Sequence, residues 1–117
     1  MPGSLTILVP TKDSVPTYVT HSTPVVGLRV PTNIEALTLL KLLGKPVLAP
    51  SANKSGEKPA LNSKEAYDIF HDELDAYISG SSKGERPSTI VNLCGDTPVV
   101  VRPGPISEEE ILKVWNE

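Results

Sequence analysis

The stretch 49–56 carries a dense set of side chains that could bind an anion. It reads Ala-Pro-Ser-Ala-Asn-Lys-Ser-Gly, so an apolar run leads directly into hydroxyl and amide groups. Ser51, Asn53 and the backbone N–H groups of such a turn can donate to a nucleotide phosphate, and Gly56 can adopt a positive φ. Serine, asparagine and glycine are also common turn residues, and composition alone favours an ordinary surface turn. The glycine spacing does not match a Walker loop.

Two arginines are the next candidates. Arg29 lies in the apolar run 25–30, where a charge is costly unless it is paired or faces a site. It could clamp a carboxylate or phosphate, or it could face solvent at a strand end, and the residues alone leave both interpretations open. Arg102 follows three valines and precedes a Pro-Gly pair, which places a cation at the end of a strand. Ser88 stands at the start of another apolar run.

Other polar residues give weaker signals. His21 and His71 have no partner at metal-ligand spacing, which argues against a zinc site. Lys83 and Arg86 lie in a Gly-Ser loop and could contact RNA, although solvated loop charge is the commoner role of such residues. No side chain is predicted to act as a nucleophile or to ligate a metal.

Composition narrows the class of protein. The chain has 117 residues, 38% of them hydrophobic, and a net charge of −3. This is typical of one folded domain, and the acidity argues against a surface that grips nucleic acid all over, although a local basic cleft is compatible with it. A single cysteine fits a reducing compartment, and no apolar run approaches the ~20 residues of a membrane span. We therefore predict a cytoplasmic protein with no membrane contact.

The elements that would position these residues follow from the apolar patterns. Residues 25–49 read as strand, helix and strand, which predicts a βαβ-like unit with parallel pairing and puts the Ser51 turn at a carboxyl edge where ligands bind. Capping signals at Asn33, Asn62 and Ser107 each announce a helix, and Gly95-Asp96 predicts a hairpin. The predicted strands are 5–9, 25–30, 47–49, 76–78, 89–93 and 99–101, and the predicted helices begin after residues 33, 62 and 107.

Five motifs, in order along the chain, are similar to those of the YrdC/Sua5/YciO family. They are Pro-Gly-Ser-Leu-Thr-Ile at 2–7, Val-Gly-Leu-Arg-Val-Pro at 26–31, the stretch 49–56, Ser-Thr-Ile-Val at 88–91 and Val-Arg-Pro-Gly at 101–104. The resemblance implies an α/β fold with a twisted, open, mixed sheet and flanking helices, of the YrdC/RibB-like type. It makes residues 1–117 one YrdC-like domain.

The enzymes of this family are L-threonylcarbamoyladenylate synthases. The resemblance implies that L-threonine, bicarbonate and ATP combine to threonylcarbamoyl-AMP with release of pyrophosphate, for the t6A modification of tRNA. Mg²⁺ would accompany the phosphates, held mainly by substrate oxygens. The implied partners are these substrates and, in addition, tRNA or proteins of the t6A machinery.

The family pattern also assigns residues to two ligands, and Arg29 would meet the carboxylate of threonine. Such a reaction needs positioning and charge neutralisation rather than a side-chain nucleophile. Thr6 belongs to the same motifs without a settled role. The resemblance gives Val25, Ser51, Asn53, Pro59 and Arg102 to ATP, and Arg29, Ala49 and Ser88 to threonine.

The chain departs from the family pattern at its start. Family members carry an earlier segment with a Lys-x-Arg motif that grips ATP, whereas this sequence begins at the Pro-Gly-x-Leu-Thr strand. We therefore expect a partial domain with little activity alone, and a homodimer could cover the exposed sheet edges. The alternative is a non-catalytic, YciO-like module that binds RNA or a nucleotide, for which Lys54, Lys58, Lys83 and Arg86 would supply the charge.

Overall fold

A computed structural model of the chain describes residues 3–82 and 87–117. Contacts divide the chain into two compact units. We call Met1–Leu37 with Arg86–Glu117 the sheet unit, and Thr38–Glu85 the helix unit. Each unit positions a different subset of the candidate residues.

The sheet unit is built on four short strands. They are β1 (Leu5–Pro10), β2 (Val25–Leu28), β3 (Thr89–Asn92) and β4 (Val99–Arg102). The order across the sheet is β2-β1-β3-β4, with β1 and β3 parallel and the two outer pairs antiparallel. This confirms the predicted open, mixed sheet and the predicted β3–β4 hairpin. The outer strands β2 and β4 are the edges of the described sheet, and dimerisation through them stays a prediction.

The core of the sheet unit centres on β3. Burial alternates along this strand, so that Thr89 and Val91 are almost fully enclosed while their neighbours are half-buried. Ile111, from the last helix, and Pro98, just before β4, are also buried. β3 is therefore the most enclosed strand of the sheet unit.

Helix starts follow the capping signals closely. Asn33 Oδ1 accepts from the Ala36 N–H at 2.9 Å, and Gly44 ends that helix with a φ of 66°. Ser107 and Glu110 form the reciprocal capping box that the sequence predicts. The helices are α1 (Thr17–Thr20), α2 (Ile34–Leu43), α3 (Ser63–Phe70) and α4 (Glu108–Trp115), and a 3-10 turn covers His71–Glu73.

The box predicted at the start of α3 is only half present as expected. Asn62 Oδ1 accepts from the Glu65 N–H at 2.8 Å, which is the predicted cap. The Glu65 carboxylate accepts from the N–H of Leu61 at 2.7 Å. Both bonds satisfy backbone donors at the helix start, so the sequence signal located the helix correctly.

The predicted strand at 47–49 is wrong, and with it the βαβ-like unit. Residues 45–50 form no regular structure, and β2 pairs antiparallel with β1. Pro46 and Pro50 flank the three apolar residues and cannot donate to a sheet, while Val47 and Leu48 are exposed. Ala49 therefore belongs to an irregular segment of the helix unit.

Three further expectations need correction. Residues 76–78 are not a strand, and the Tyr77 side chain turns back to α3, where its hydroxyl donates to the His71 carbonyl at 2.6 Å and its ring meets Tyr67 edge-on. Partial burial raises the pKa of Tyr77 above its usual 10.0, because it disfavours the charged phenolate. Repulsion from the negative charges of Tyr67, Asp72 and Glu73 raises it further. A turn of helix at Thr17–Thr20 interrupts the predicted loop, and β2 ends before Arg29.

Lys83 and Arg86 lie outside the described residues. Within the described ranges, no helix is long and apolar enough to cross a membrane.

The cap of α4 gives a direct test of this local structure. Ser107→Ala removes the hydroxyl that accepts from the Glu110 N–H at 3.2 Å. We expect the free energy of unfolding to fall by ~1 kcal/mol, the usual cost of losing such a cap. Urea unfolding followed by circular dichroism measures the loss. Ser107→Asn, which keeps a capping oxygen, is expected to stay within a few tenths of wild type, and an equal loss in both variants would contradict the assignment.

Candidate functional site

The sheet unit brings two candidate side chains, Thr6 and Arg102, to Ser88, which is only 5% exposed and directly precedes β3. The Ser88 hydroxyl lies 2.8 Å from the Thr6 hydroxyl. Arg102 donates from Nη2 to the same hydroxyl at 3.3 Å. It also donates from Nε and Nη2 to the Ser88 carbonyl, at 3.1 and 2.8 Å. We call Thr6, Ser88 and Arg102 the Ser88 cluster.

Strand register explains why these three residues meet. Parallel pairing places Leu5 opposite Thr89 on β3, and the Thr89 N–H donates to the Ser4 carbonyl at 2.9 Å. Thr6 is thereby brought next to Ser88 although 82 positions separate them. Antiparallel pairing of β3 with β4 then sets Arg102 opposite Ile90. The cluster therefore joins β1, β4 and the residue directly before β3, each contributing one polar side chain.

The chain after Arg102 is held against the start of β3. The Thr89 hydroxyl, fully buried, donates to the Ile106 carbonyl at 2.8 Å and accepts from the Ile106 N–H at 2.9 Å. Gly104 approaches the backbone so closely that a Cβ there would lie 2.7 Å from the Pro87 carbonyl oxygen and 2.8 Å from the Ser88 carbonyl carbon. These contacts fix the backbone on both sides of Ser88.

The sequence did not predict that Thr89 and Gly104 fix the backbone around Ser88. The sequence assigns no role to Thr89 itself, and the Pro-Gly pair at 103–104 indicates only that Arg102 lies at a strand end. The available signal was the glycine itself, since glycine is the residue used where two backbones approach closely. The partner of that approach is 15 or more positions away and could not be read from the chain.

Val25 and Arg29 lie at the two ends of β2 in the sheet unit. Arg29 is exposed and sits just beyond the strand, donating from Nε to the Gly3 carbonyl at 3.2 Å. The structure therefore favours the exposed, strand-end position over a buried charge. Val25 begins β2 opposite Pro10 and is half-buried.

The stretch 51–60 of the helix unit is a closed turn. The Ala60 N–H donates to the Ala52 carbonyl at 2.8 Å and ties its two ends together. Gly56 has a φ of 82°, as predicted. Asn53 donates from Nδ2 to the Lys54 carbonyl at 2.9 Å, whereas its Oδ1 is shielded from solvent with no hydrogen-bond partner among the described residues.

The remaining candidates of the helix unit are exposed. Ser51, Ala49 and Pro59 all lie on its surface, and the Ser51 carbonyl accepts from the Asn53 N–H at 3.0 Å. Thr6, Ser88 and Arg102 are thus the predicted residues that the structure joins by hydrogen bonds. Val25 and Arg29 belong to the same unit, while Ala49, Ser51, Asn53 and Pro59 belong to the other.

The polar groups of both units suit an anion better than a cation. Hydroxyls, an amide and two guanidinium groups are donors that fit carboxylate and phosphate oxygens. Within residues 3–82 and 87–117 no three His, Cys, Asp or Glu side chains come together as a metal site would require.

Comparison with known proteins shows which family the chain resembles. The family model Sua5_yciO_yrdC, whose description reads "Telomere recombination", matches residues 1–104. The chain belongs to the Sua5/YciO/YrdC family. The match includes the Ser88 cluster and the whole of the stretch 49–56.

Individual family members are similar over nearly the whole chain. The threonylcarbamoyl-AMP synthase of Pyrococcus abyssi is 34% identical over 99% of this chain and 34% of its own length. The crystal structure of P. abyssi Sua5 complexed with L-threonine has a TM-score of 0.88, with 34% identity over 97% of this chain and 34% of that one. The crystal structure of Escherichia coli YciO has a TM-score of 0.82, with 32% identity over 94% of this chain and 54% of that one. The chain therefore spans between a third and about half of the length of these relatives.

The close approach of Gly104 predicts a strong effect of a single methyl group. Gly104→Ala forces the turn or the backbone of residues 87–89 to move, because the added Cβ would meet backbone atoms rather than a flexible side chain. We expect the free energy of unfolding to fall by roughly 1–3 kcal/mol, the usual range for overpacking. Urea denaturation measures this value.

Gly95→Ala is the matched control, since a Cβ at that position in the β3–β4 connection meets nothing within 4 Å. We expect it to change the free energy of unfolding by less than roughly 0.5 kcal/mol. Equal effects of the two substitutions would show that Gly104 is not chosen for its small size.

Proposed function

We propose that the protein carrying this chain is a threonylcarbamoyl-AMP synthase. It forms L-threonylcarbamoyladenylate from L-threonine, bicarbonate and ATP, for the t6A modification of tRNA. The observation that carries the proposal is the Ser88 cluster, in which a nearly buried hydroxyl and a guanidinium converge in a chain that superposes on a Sua5 structure complexed with L-threonine. The activity, substrates and partners of the whole protein are part of the proposal.

The chemistry requires alignment and charge neutralisation. The amino nitrogen of threonine takes up the carbon of bicarbonate with loss of water and gives a carbamate. A carbamate oxygen then attacks the α-phosphorus of ATP, and the bond from that phosphorus to pyrophosphate breaks. Negative charge grows on the phosphate oxygens, so cations and N–H donors there lower the barrier.

Ser88 and Arg29 suit the amino acid. A hydroxyl can donate to a carboxylate or accept from an ammonium group, and an exposed guanidinium can pair with the carboxylate. Arg29 has Nη groups left for such a ligand, because its hydrogen bond to the described residues uses Nε. We assign Ser88, Arg29 and Ala49 to threonine.

The remaining candidates suit the nucleotide. Arg102 brings a cation to the end of β4, and the Ser51 turn offers backbone N–H groups, a hydroxyl and the Asn53 amide. We assign Val25, Ser51, Asn53, Pro59 and Arg102 to ATP. Mg²⁺ would bind with the triphosphate, on phosphate oxygens rather than on protein carboxylates.

Substrate dependence tests the proposal. Pyrophosphate release by the complete protein is expected to require L-threonine, bicarbonate and ATP together. Ser88→Ala is expected to raise KM for L-threonine roughly 10- to 100-fold, the cost of losing a hydrogen bond to a charged group. Ser14→Ala, in an exposed loop of the sheet unit, is the control and is expected to leave KM unchanged. Pyrophosphate release that does not depend on threonine would refute the proposed synthase function.

A second candidate is a non-catalytic, YciO-like module that binds RNA or a nucleotide, for which the likeness to E. coli YciO supplies the shared fold alone. The charge available for RNA is limited, because Lys54 pairs with Glu73 at 3.0 Å. Lys58 is exposed, and Lys83 and Arg86 lie outside the described residues. Salt-sensitive tRNA binding without threonine-dependent pyrophosphate release would favour this candidate over the synthase.

A further inference from the structure

We infer that Thr6 is a positioning residue for threonine recognition, acting through the hydroxyl of Ser88. The inference rests on the proposed function and deepens it by naming a residue outside the two ligand sets given above. Its basis is the 2.8 Å contact between the Thr6 and Ser88 hydroxyls, a long-range bond in a part-buried setting.

The hydrogen-bonding capacity of Ser88 is nearly filled by the protein. A serine hydroxyl has one proton and two acceptor positions. Arg102 donates to this oxygen from Nη2, so one acceptor position is occupied by a cationic donor. The contact with Thr6 uses either the other acceptor position or the proton.

The direction of the Thr6 bond decides what Ser88 can offer to a ligand. When Thr6 donates, both acceptor positions of Ser88 are filled and the Ser88 proton is left to point at the ligand. When Ser88 donates to Thr6, the hydroxyl offers a ligand no proton. Arg102 donates to the Ser88 oxygen, which makes the Ser88 proton a stronger donor. The carboxylate is the strongest acceptor of an amino acid. The arrangement in which Thr6 donates is therefore the one that binds threonine.

Thr6 is well placed to hold this arrangement. It lies within β1, in the centre of the sheet, where its backbone pairs with β3 in fixed register opposite Ile90. Within the described residues, the Thr6 hydroxyl has Ser88 as its hydrogen-bond partner. A rigid strand therefore presents a single donor to the serine that meets the substrate, and this orients the Ser88 hydroxyl before the ligand arrives.

The test compares three variants of the complete protein. Thr6→Val keeps the shape but removes the hydroxyl, and we expect KM for L-threonine to rise roughly three- to tenfold, the range of one neutral hydrogen bond. KM for ATP and kcat are expected to stay within about twofold. Thr6→Ser restores the hydroxyl and is expected to recover most of the affinity. Thr11→Val is the matched control. Thr11 is half-buried next to β1, and the hydrogen bond that it makes within the described residues uses its backbone N–H, which the substitution keeps.

A double-mutant cycle separates positioning from a general structural effect. If Thr6 acts through Ser88, Thr6→Val adds no further rise in KM for threonine in a Ser88→Ala background. Independent, multiplying effects of the two substitutions would overturn the inference. So would an unchanged KM in Thr6→Val, or a fall in kcat with KM unchanged, which is the signature of a smaller folded fraction.

The two levels of the proposal fail in different ways. A wild-type protein whose pyrophosphate release does not depend on threonine refutes the proposed function and the role of Thr6 with it. A wild-type protein that depends on threonine, combined with a silent Thr6→Val, refutes the role of Thr6 alone. If valine is not tolerated in β1, Thr6→Ala carries the same expectation, with urea unfolding reporting its stability.

Discussion

The parallel pairing of β1 with β3 is the constraint on which the rest of the sheet unit depends. It joins residues 5–8 to residues 89–92, and a parallel pair can form only after a long crossover connection. Once it is formed, Thr6 lies against Ser88 and β4 can add Arg102 from the other side. The Ser88 cluster is therefore a consequence of strand order β2-β1-β3-β4, not of any local segment.

Backbone contacts reinforce this pairing where the site needs precision. The buried Thr89 hydroxyl bonds both polar groups of the Ile106 backbone, and Gly104 allows the turn to lie against residues 87–89. Arg102 adds two bonds to the Ser88 carbonyl. Ser88 is thus fixed through its main chain and its side chain at once, which suits a residue that orients a ligand rather than one that moves a proton.

The sequence predicted local features well and pairing poorly. The caps at Asn33, Asn62 and Ser107 were confirmed because capping involves residues three or four positions apart. The apolar runs at 47–49 and 76–78 were wrongly predicted as strands, since a short run becomes a strand only where a partner edge is available. Prolines lie on both sides of 47–49 and cannot donate to a sheet, and Tyr77 bonds the His71 carbonyl, so neither segment joins the sheet.

The sequence by itself determined the family, the starts of α2, α3 and α4, the mixed α/β class and the residues worth testing, because motifs and periodicity are carried by neighbouring positions. Only the tertiary structure decided that Arg29 is an exposed strand-end residue and that Arg102 binds the Ser88 carbonyl. It also decided that Thr6, a residue without a predicted role, is the partner of Ser88. The physical reason is strand register, which brings together side chains 82 positions apart and leaves no trace in local composition.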